Sequence, residues 1–370
     1  MSLSVVDGHY FVGDVDYCEL GKRMSENVYY RTLMGFKIVV CLVGIFLCSC
    51  LLISKVKSVI MHIHARILLH YHIIVTLVLT CNYLWISIFE TIRHSRTEHP
   101  TVPCNYVMPR WLTFFPHFIT GNMIYCQILS CFFITVERLI CTCKIRTYEN
   151  TNYKWTLVTA LVVMTLTVLL CSYLVLGRTA SWEIRLFYFS FRDTTNHVYG
   201  TGFVVGQFLC DLVTVTLCKI VDIINRRTRR SFVHGSFCGN SDYISTQLTS
   251  KLQIRENIAV SQTLLPVVGV HWLLTAFSTF VISILMLTLR HNILLSVIVA
   301  ESCALFPLYS SIMPILIFRK HPSLFWALTD KVLGRKREEE SIVKTDAEEF
   351  ERHFKWFDQM LEYKKVPTRL

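Results

Sequence analysis

The apolar stretch LMGFKIVVCLVGIFLCSCLLIS, residues 33–54, contains a single charged side chain, Lys37. The hydrocarbon core of a bilayer is about 30 Å thick, and about 20 apolar helical residues are needed to cross it. Six further apolar stretches follow, at 67–89, 111–141, 155–176, 200–224, 258–289 and 292–318. Because a helix satisfies its own backbone hydrogen bonds where water is absent, we predict an all-α membrane protein with seven transmembrane helices.

The composition and charge agree with one membrane-embedded bundle. Apolar residues make up 53% of the chain, the mean hydropathy is +0.45 and the net charge is +11. Nucleic acid binding is one reason for a basic chain. Here, however, the basic residues collect in loops beside the apolar stretches, where they set orientation and meet anionic lipid. The lipid bilayer is therefore the expected partner, and nucleic acid is not.

The basic cluster at 226–230 and the basic tail decide the expected orientation. Positive charge favours the cytosolic side. We therefore expect a multi-pass protein of the plasma membrane in three parts. These are an extracellular segment at 1–32, the seven-helix bundle at 33–318, and a cytoplasmic tail at 319–370 that begins with an amphipathic helix.

Most of the fifteen cysteines lie inside the apolar stretches, where cysteine behaves as a small apolar residue. Only Cys18 and Cys104 fall on the expected outer side, where disulfides persist. We expect a disulfide between them that ties the N-terminal segment to the start of the third helix. The alternative is two free thiols.

An acid–base pair, Glu137 and Arg138, lies near the end of the third stretch. Glu137 can hold Arg138 while the bundle is closed, and a movement of the helices can release Arg138 for a cytosolic partner. The alternative is a pair that only reaches the membrane surface. Prolines kink helices, and Pro266, Pro307 and Pro314 in the last two stretches suit a bundle with two packings.

Four polar side chains inside the stretches are candidate ligand contacts: Asn122, Gln207, His271 and Glu301. Polar groups in hydrocarbon usually face a cavity or a partner, and in a seven-helix bundle these four would converge on a central pocket. The alternative is that they only join neighbouring helices through hydrogen bonds. The aromatic segment between the fourth and fifth stretches either covers this pocket as a strand-like lid or lies exposed at the membrane surface.

No catalytic motif is found in the sequence: it has no Gly-rich phosphate loop, no Gly-x-Ser-x-Gly and no His-Glu-x-x-His. The spacing of His62 and His64 is compatible with a metal site. Beside Lys57 and Arg66, at the expected inner membrane surface, an interfacial role is favoured instead. We expect no enzymatic activity, no cofactor and no metal.

Two motifs, VERLICTCKIRTYEN at 136–150 and LTSKLQIRENI at 248–258, resemble those of the nematode serpentine chemoreceptors of the Sra-type superfamily. The Srab branch is favoured, with the Sra, Sre and Srb branches close to it. The resemblance covers the bundle from the segment before the second stretch to Pro314. Two positions depart from the family pattern: His64, where Asn is expected, and Cys141, where Ala is frequent.

This resemblance implies a G-protein-coupled receptor in the cilia of sensory neurons that binds small environmental molecules and activates a heterotrimeric G protein. Coupling roles are implied for Glu137, Arg138, Tyr148, Glu149, Arg255, Glu256 and Asn257. The alternative is a multi-span transporter or channel for a small solute. Transporters often contain inverted repeats, but no repeat relates the two halves of this chain.

Overall fold

The computed structural model describes the backbone of residues 3–6, 9–12, 15–54, 63–95, 104, 106–143, 153–190, 197–234, 241–288, 292–322, 324–326 and 329. Side chains are described over most of these ranges, but not at 3–15 or 228–257. Tyr148 and Glu149 therefore lie outside the described residues. The backbone of Arg255, Glu256 and Asn257 is helical, and their side chains are outside the description.

The chain begins with a small antiparallel sheet followed by a short helix. Strands β1 (Leu3–Val6), β2 (His9–Val12) and β3 (Val15–Asp16) pair in that order. Helix α1 (Tyr17–Glu26) starts at Asp16, whose carboxylate accepts hydrogen bonds from the backbone N–H groups of Cys18 and Glu19. A side-chain acceptor of this kind satisfies N–H groups that have no partner in the first helical turn.

Seven helical segments are long and apolar enough to cross a membrane, which confirms the predicted fold class. They are α2 (Val28–Ile53), α3 (Ile63–Ser95), α4 (Arg110–Cys143), α5 (Lys154–Ser172) with a π-helical turn (Tyr173–Gly177), α6 (His197–His234), α7 (Ser241–Thr288), and α8 (Ile293–Cys303) together with α9 (Phe306–Lys320). We call the end where α2 begins the amino face of the bundle, and the end where α9 finishes the carboxyl face.

Helix α4 lies at the centre of the bundle. In the most apolar 18-residue segment of α4, 56% of the residues are buried, compared with 11% in the corresponding segment of the span that contains α5. Helices α3, α5, α6 and α7 all pack against α4. Many large apolar side chains on the other helices are exposed, among them Phe36, Phe46 and Leu166. In a bundle of membrane-spanning helices, such side chains meet lipid tails rather than water.

The helices differ from the predicted stretches in two respects. Helix α7 begins at Ser241, well before the apolar stretch that starts at residue 258, because polar residues continue a helix beyond the hydrocarbon. The seventh span is interrupted between α8 and α9, with Ala304 and Leu305 outside both helices. Pro307 therefore lies in the first turn of α9, where its missing N–H costs no helical hydrogen bond. Pro266 and Pro314 lie inside α7 and α9.

The amino face is covered by a lid, which we define as α1, strand β4 (Met108–Pro109) and residues 184–190. Within residues 184–190, strand β5 (Arg185–Leu186) pairs antiparallel with β4. The rings of Tyr17 in α1 and Phe187 meet edge to face at 5.3 Å. In the segment between α5 and α6, the side chains of Ile184, Leu186, Phe187 and Phe189 are buried. Residues 184–190 therefore form part of a lid and do not lie exposed at the membrane surface.

Two features hold α1 close to the rest of the lid. A Cβ atom at Gly21 would come within 2.8 Å of the Cβ of Tyr106, so a larger residue would push α1 away. Cys18 in α1 forms a disulfide with Cys104, and their Cα atoms are 4.6 Å apart. Beneath them, the buried Arg93 of α3 pairs with Glu90 and donates hydrogen bonds to the backbone carbonyls of Tyr106 and Phe187.

The disulfide gives a first testable prediction. Cys18→Ser and Cys104→Ser should each lower the thermal midpoint of the purified protein, and the double variant should lose no more than either single variant, because all three open the same loop. Cys171→Ser, at an exposed free thiol, is the matched control and should leave the midpoint unchanged. Alkylation of both Cys18 and Cys104 in unreduced protein, seen by mass spectrometry, would contradict the bridge.

Candidate functional site

Three ionisable side chains from three helices meet beneath the lid. The Lys37 ammonium of α2 lies 2.5 Å from the Glu301 Oε2 of α8. The Glu301 Oε1 lies 3.9 Å from the Nε2 of His117, which belongs to α4. Lys37 is almost fully enclosed, with 6% of its side chain accessible, whereas Glu301 keeps 17% and His117 keeps 24%. We call these three residues the amino-face cluster. Its carboxylate and imidazole present an accessible surface between α2, α4 and α8.

Aromatic side chains surround the amino-face cluster. Phe189 of the lid is nearly parallel to the His117 ring, with centroids 6.3 Å apart. Phe306, at the start of α9, stacks with Tyr83 of α3 at 6.4 Å. Tyr29 donates a hydrogen bond to Ser302, the neighbour of Glu301. The arrangement combines a few polar groups with apolar walls, as binding sites for small molecules usually do.

The other three candidate ligand contacts have partners on neighbouring helices. Asn122 accepts a hydrogen bond from Ser172 of α5 at 2.5 Å, and Gln207 of α6 donates one to the Gly121 carbonyl of α4 at 2.7 Å. His271 of α7 lies 3.3 Å from Asp211 of α6. All three side chains are buried. Their contacts are those expected of interhelical hydrogen bonds, and among the four candidates Glu301 has the accessible side chain.

A second group of polar side chains lies in the middle of the bundle and centres on His72 of α3. Its Nδ1 is 2.6 Å from the Ser130 hydroxyl of α4, and its Nε2 is 2.6 Å from the Tyr309 hydroxyl of α9. Ser130 donates its proton to the Gln127 carbonyl. His72 Nδ1 then donates to Ser130, and Nε2 accepts from Tyr309. The ring is therefore assigned as the neutral tautomer that carries its proton on Nδ1. We call His72, Ser130 and Tyr309 the central network.

The central network adjoins the buried pair of Asp211 and His271. The His271 ring meets the Tyr309 ring edge to face at 4.9 Å, which brings α6 and α7 into contact with α3, α4 and α9. Within the described part of the chain, Asp211 Oδ2 and His271 Nε2 are buried without a hydrogen-bond partner. A buried polar group without a partner is costly. A rearrangement that gives these two atoms partners would therefore be favoured.

The side chain of Ser278 in α7 forms hydrogen bonds at the interruption of the seventh span. The hydroxyl of the fully buried Ser278 donates to the Cys303 carbonyl at 2.7 Å and accepts from the Leu305 N–H at 3.3 Å. It thus bonds backbone groups at the end of α8 and within the break, which also bond each other, Leu305 N–H to the Cys303 carbonyl at 2.9 Å. The break begins three residues after Glu301, so Ser278 links the surroundings of the amino-face cluster to α7.

At the carboxyl face, Arg138 and Glu137 form a two-pronged ion pair. The Nε and Nη2 of Arg138 each lie 2.5 Å from an oxygen of Glu137. Adjacent residues on a helix normally point in different directions, so both side chains must turn toward each other to pair. Arg138 is only 2% exposed. Its guanidinium is therefore kept away from the surroundings of the bundle.

Next to this pair, a chain of three polar side chains joins α4, α6 and α7. Thr142 donates to the Asn225 side-chain oxygen at 2.7 Å, and the Asn225 amide donates to the Ser261 hydroxyl at 3.4 Å. All three residues are buried. We call Thr142, Asn225 and Ser261 the carboxyl-face latch. Separation of α7 from α6 at this end would break its longer hydrogen bond first.

A further contact joins α7 to the end of α9. Thr263 lies 3.0 Å from the Nε2 of His321, the residue that follows α9. Burial lowers the pKa of His321, and the charge of Lys320 lowers it further. The ring therefore stays neutral at pH 7 and can take part in this hydrogen bond without the cost of a buried charge.

Sequence reasoning did not assign the latch. It marked Lys37 as an ionisable group within a span and placed His117 among the polar groups that converge on a pocket, but it did not pair either of them with Glu301. Thr142, Asn225 and Ser261 are small polar residues that occur in many helices, and Asn225 directly precedes a conspicuous run of arginines. The charge of Lys37 within the first apolar stretch was a usable signal. Its partner Glu301 is 264 positions away, and only the fold brings the two together.

Seven spanning helices, with an enclosed Glu-Arg pair at one face and a partly open polar cluster at the other, define a seven-transmembrane receptor. A family model described as "Serpentine type 7TM GPCR receptor class ab chemoreceptor" matches residues 15–335. The chain belongs to this family, which confirms the resemblance to the Srab branch. No curated protein matches the chain.

The family assignment bears on the other predictions as well. It makes the chain a membrane protein of a chemoreceptor class, and it does not favour the transporter or channel alternative. The family is one of receptors rather than enzymes. Within the residues that the structure describes, no group of three or more His, Cys, Asp or Glu side chains is placed to hold a metal ion.

The central network gives a second prediction. Tyr309→Phe removes the hydroxyl that donates a hydrogen bond to His72 Nε2. Because this buried acceptor then has no donor, the free energy of unfolding should fall by about 1–2 kcal/mol. Tyr29→Phe removes an exposed hydroxyl that bonds Ser302, and should change stability much less. Equal thermal midpoints for the two variants in lipid nanodiscs would argue against an interlocked central network.

Proposed function

We propose that the chain is a chemosensory receptor of the plasma membrane that detects small environmental molecules and activates a heterotrimeric G protein. In this proposal the amino face is extracellular, the tail is cytoplasmic, and the receptor works in the cilia of sensory neurons. The observation that carries the proposal is the enclosed Arg138, held by Glu137 beside a latch between α4, α6 and α7. An arginine held in this way can be released when the helices separate.

Binding is proposed to occur at the amino-face cluster. A ligand that contacts Glu301 acts three residues before the break in the seventh span. Ser278 spans that break and belongs to α7. We take the break to have two arrangements. A ligand that binds one of them more tightly shifts the receptor population toward that arrangement, by an amount set by the difference between its two affinities. The displacement of α7 is the proposed signal.

The carboxyl face is the proposed coupling surface. Movement of α7 draws Ser261 away from Asn225, opens the latch and lets Arg138 exchange Glu137 for the G protein. Arg226 lies near the same end of α6 and pairs with Asp222 at 2.9 Å. Tyr148, Glu149, Arg255, Glu256 and Asn257 are proposed to assist, by their resemblance to the family motifs. The prolines Pro266, Pro307 and Pro314 are proposed to let the last two spans change packing.

The switch predicts opposite effects for the two members of the Glu-Arg pair. Glu137→Gln weakens the hold on Arg138 and should raise ligand-independent G-protein activation several-fold. Arg138→Ala should abolish ligand-dependent activation at unchanged surface expression. Arg23→Ala, which removes an exposed ion pair with Glu19 on α1, is the matched control and should signal normally.

Nucleotide exchange on a purified G protein, measured with receptor in vesicles, checks these outcomes. Unchanged exchange in Arg138→Ala would remove the assigned switch. Ligand uptake into the same vesicles in the absence of G protein would favour a transporter instead.

A further inference from the structure

We propose that the amino-face cluster selects uncharged ligands whose polar group is a hydrogen-bond donor, such as a hydroxyl or an amide N–H. This inference rests on the proposed function, because it takes the cluster as the ligand site. It adds the chemical class of the ligand, which follows from the charges and the accessible atoms of the cluster.

Anionic ligands are disfavoured because the cation of the cluster is already occupied. The Lys37 ammonium lies 2.5 Å from Glu301 and is almost fully enclosed. A carboxylate could reach it only by displacing Glu301, which would leave that side chain charged and unpaired in a low-dielectric site. Removal of one partner from a buried ion pair is strongly unfavourable.

Cationic ligands are disfavoured because the carboxylates at and near the cluster already have cationic partners. Lys37 neutralises Glu301, and the nearby Glu90 of α3 is paired with Arg93 and lies 2.7 Å from His94. An ammonium ion brought beneath the lid would add a net positive charge with no countercharge. An uncompensated charge is expensive in such a place.

The accessible atom of the cluster determines what the ligand must offer. Glu301 Oε2 is taken by Lys37. Among the residues that the structure describes, Oε1 has no hydrogen-bond partner, and the His117 ring lies 3.9 Å from it, which is beyond hydrogen-bond distance. A carboxylate oxygen can accept hydrogen bonds and cannot donate them. A ligand with an O–H or N–H satisfies Oε1, whereas a ketone or an ether presents a second acceptor to it.

The aromatic walls of the site determine the chemical character of the rest of the ligand. Phe189 and Phe306 lie against His117 and Tyr83, so the cluster is bordered by aromatic rings. These walls favour an apolar body attached to the donor group. The ligand class is therefore a small apolar alcohol or amide rather than an amine, an acid or a ketone.

The test uses two matched series of probes on purified receptor in nanodiscs. The first is cyclohexanol, cyclohexanone, cyclohexylamine and cyclohexanecarboxylate, and the second is benzyl alcohol, benzaldehyde, benzylamine and benzoate. We expect the alcohol of a series to bind about tenfold more tightly than its carbonyl counterpart, since a good charge-assisted hydrogen bond is worth about that factor. The amine and the acid should bind more weakly than the alcohol.

A charge swap provides the decisive variant. Lys37→Glu combined with Glu301→Lys keeps the cluster neutral but presents an ammonium donor at position 301. Hydroxyl and carbonyl oxygens can both accept from this donor, so the preference for the alcohols should disappear. If this variant fails to fold, Lys37→Met combined with Glu301→Gln serves instead, because it leaves no unpaired charge. It should weaken alcohol binding about tenfold, because a neutral acceptor replaces a charged one. Glu19→Gln on the exposed face of α1 is the control and should bind as the wild type does.

The outcomes separate the two proposals, because binding is measured without a G protein. Preference for the alcohols, abolished by the swap or weakened in the double variant Lys37→Met, Glu301→Gln, supports the ligand class even if nucleotide exchange fails and the signalling role is lost. Equal binding of alcohols and carbonyl probes, tighter binding of the amines or acids, or no binding of any probe at millimolar concentration would overturn it.

Discussion

The bundle depends on one constraint: a polar group buried among membrane helices must find its partner on another helix, because hydrocarbon offers none. Helix α4 meets this constraint along its whole length. Asn122 bonds Ser172 of α5, Gln127 donates to Thr76 of α3, and Thr142 donates to Asn225 of α6. These bonds fix how each neighbour packs against α4, so a change in packing has to exchange partners rather than merely slide apolar surfaces.

The points that can exchange partners lie on α7 and on the interrupted seventh span. Ser278 joins α7 to the break, the pair of Asp211 and His271 has unsatisfied atoms, and the bond from Asn225 to Ser261 is long at 3.4 Å. By contrast, α4 is held by short bonds on several sides. The proposed activation follows this difference: α4 serves as the fixed frame, and α7 moves between the amino-face cluster and the latch.

Sequence patterns were sufficient for the architecture because each apolar run independently reports one span, and helices need no distant partner to form. They also marked Glu301 and the Glu137–Arg138 pair, since charges near or within hydrocarbon are rare. They could not show that Lys37 reaches Glu301, that Asn225 joins Thr142 to Ser261, or that strand β5 meets β4. Such contacts depend on three-dimensional packing across many residues. The break at Ala304 and Leu305, by contrast, was marked by Pro307, which has no N–H to bond the Cys303 carbonyl four residues earlier.

The central claim, that activation requires α6 and α7 to separate at the carboxyl face, can be tested with a reversible zinc bridge. Asn225→His together with Ser261→His places two imidazoles where the side chains now meet, and imidazole is a good zinc ligand. If the two helices must separate, micromolar zinc should suppress ligand-stimulated nucleotide exchange in the double variant, and a chelator should restore it. Neither single variant should respond to zinc. Full stimulated exchange while zinc is bound to the double variant would contradict the central claim.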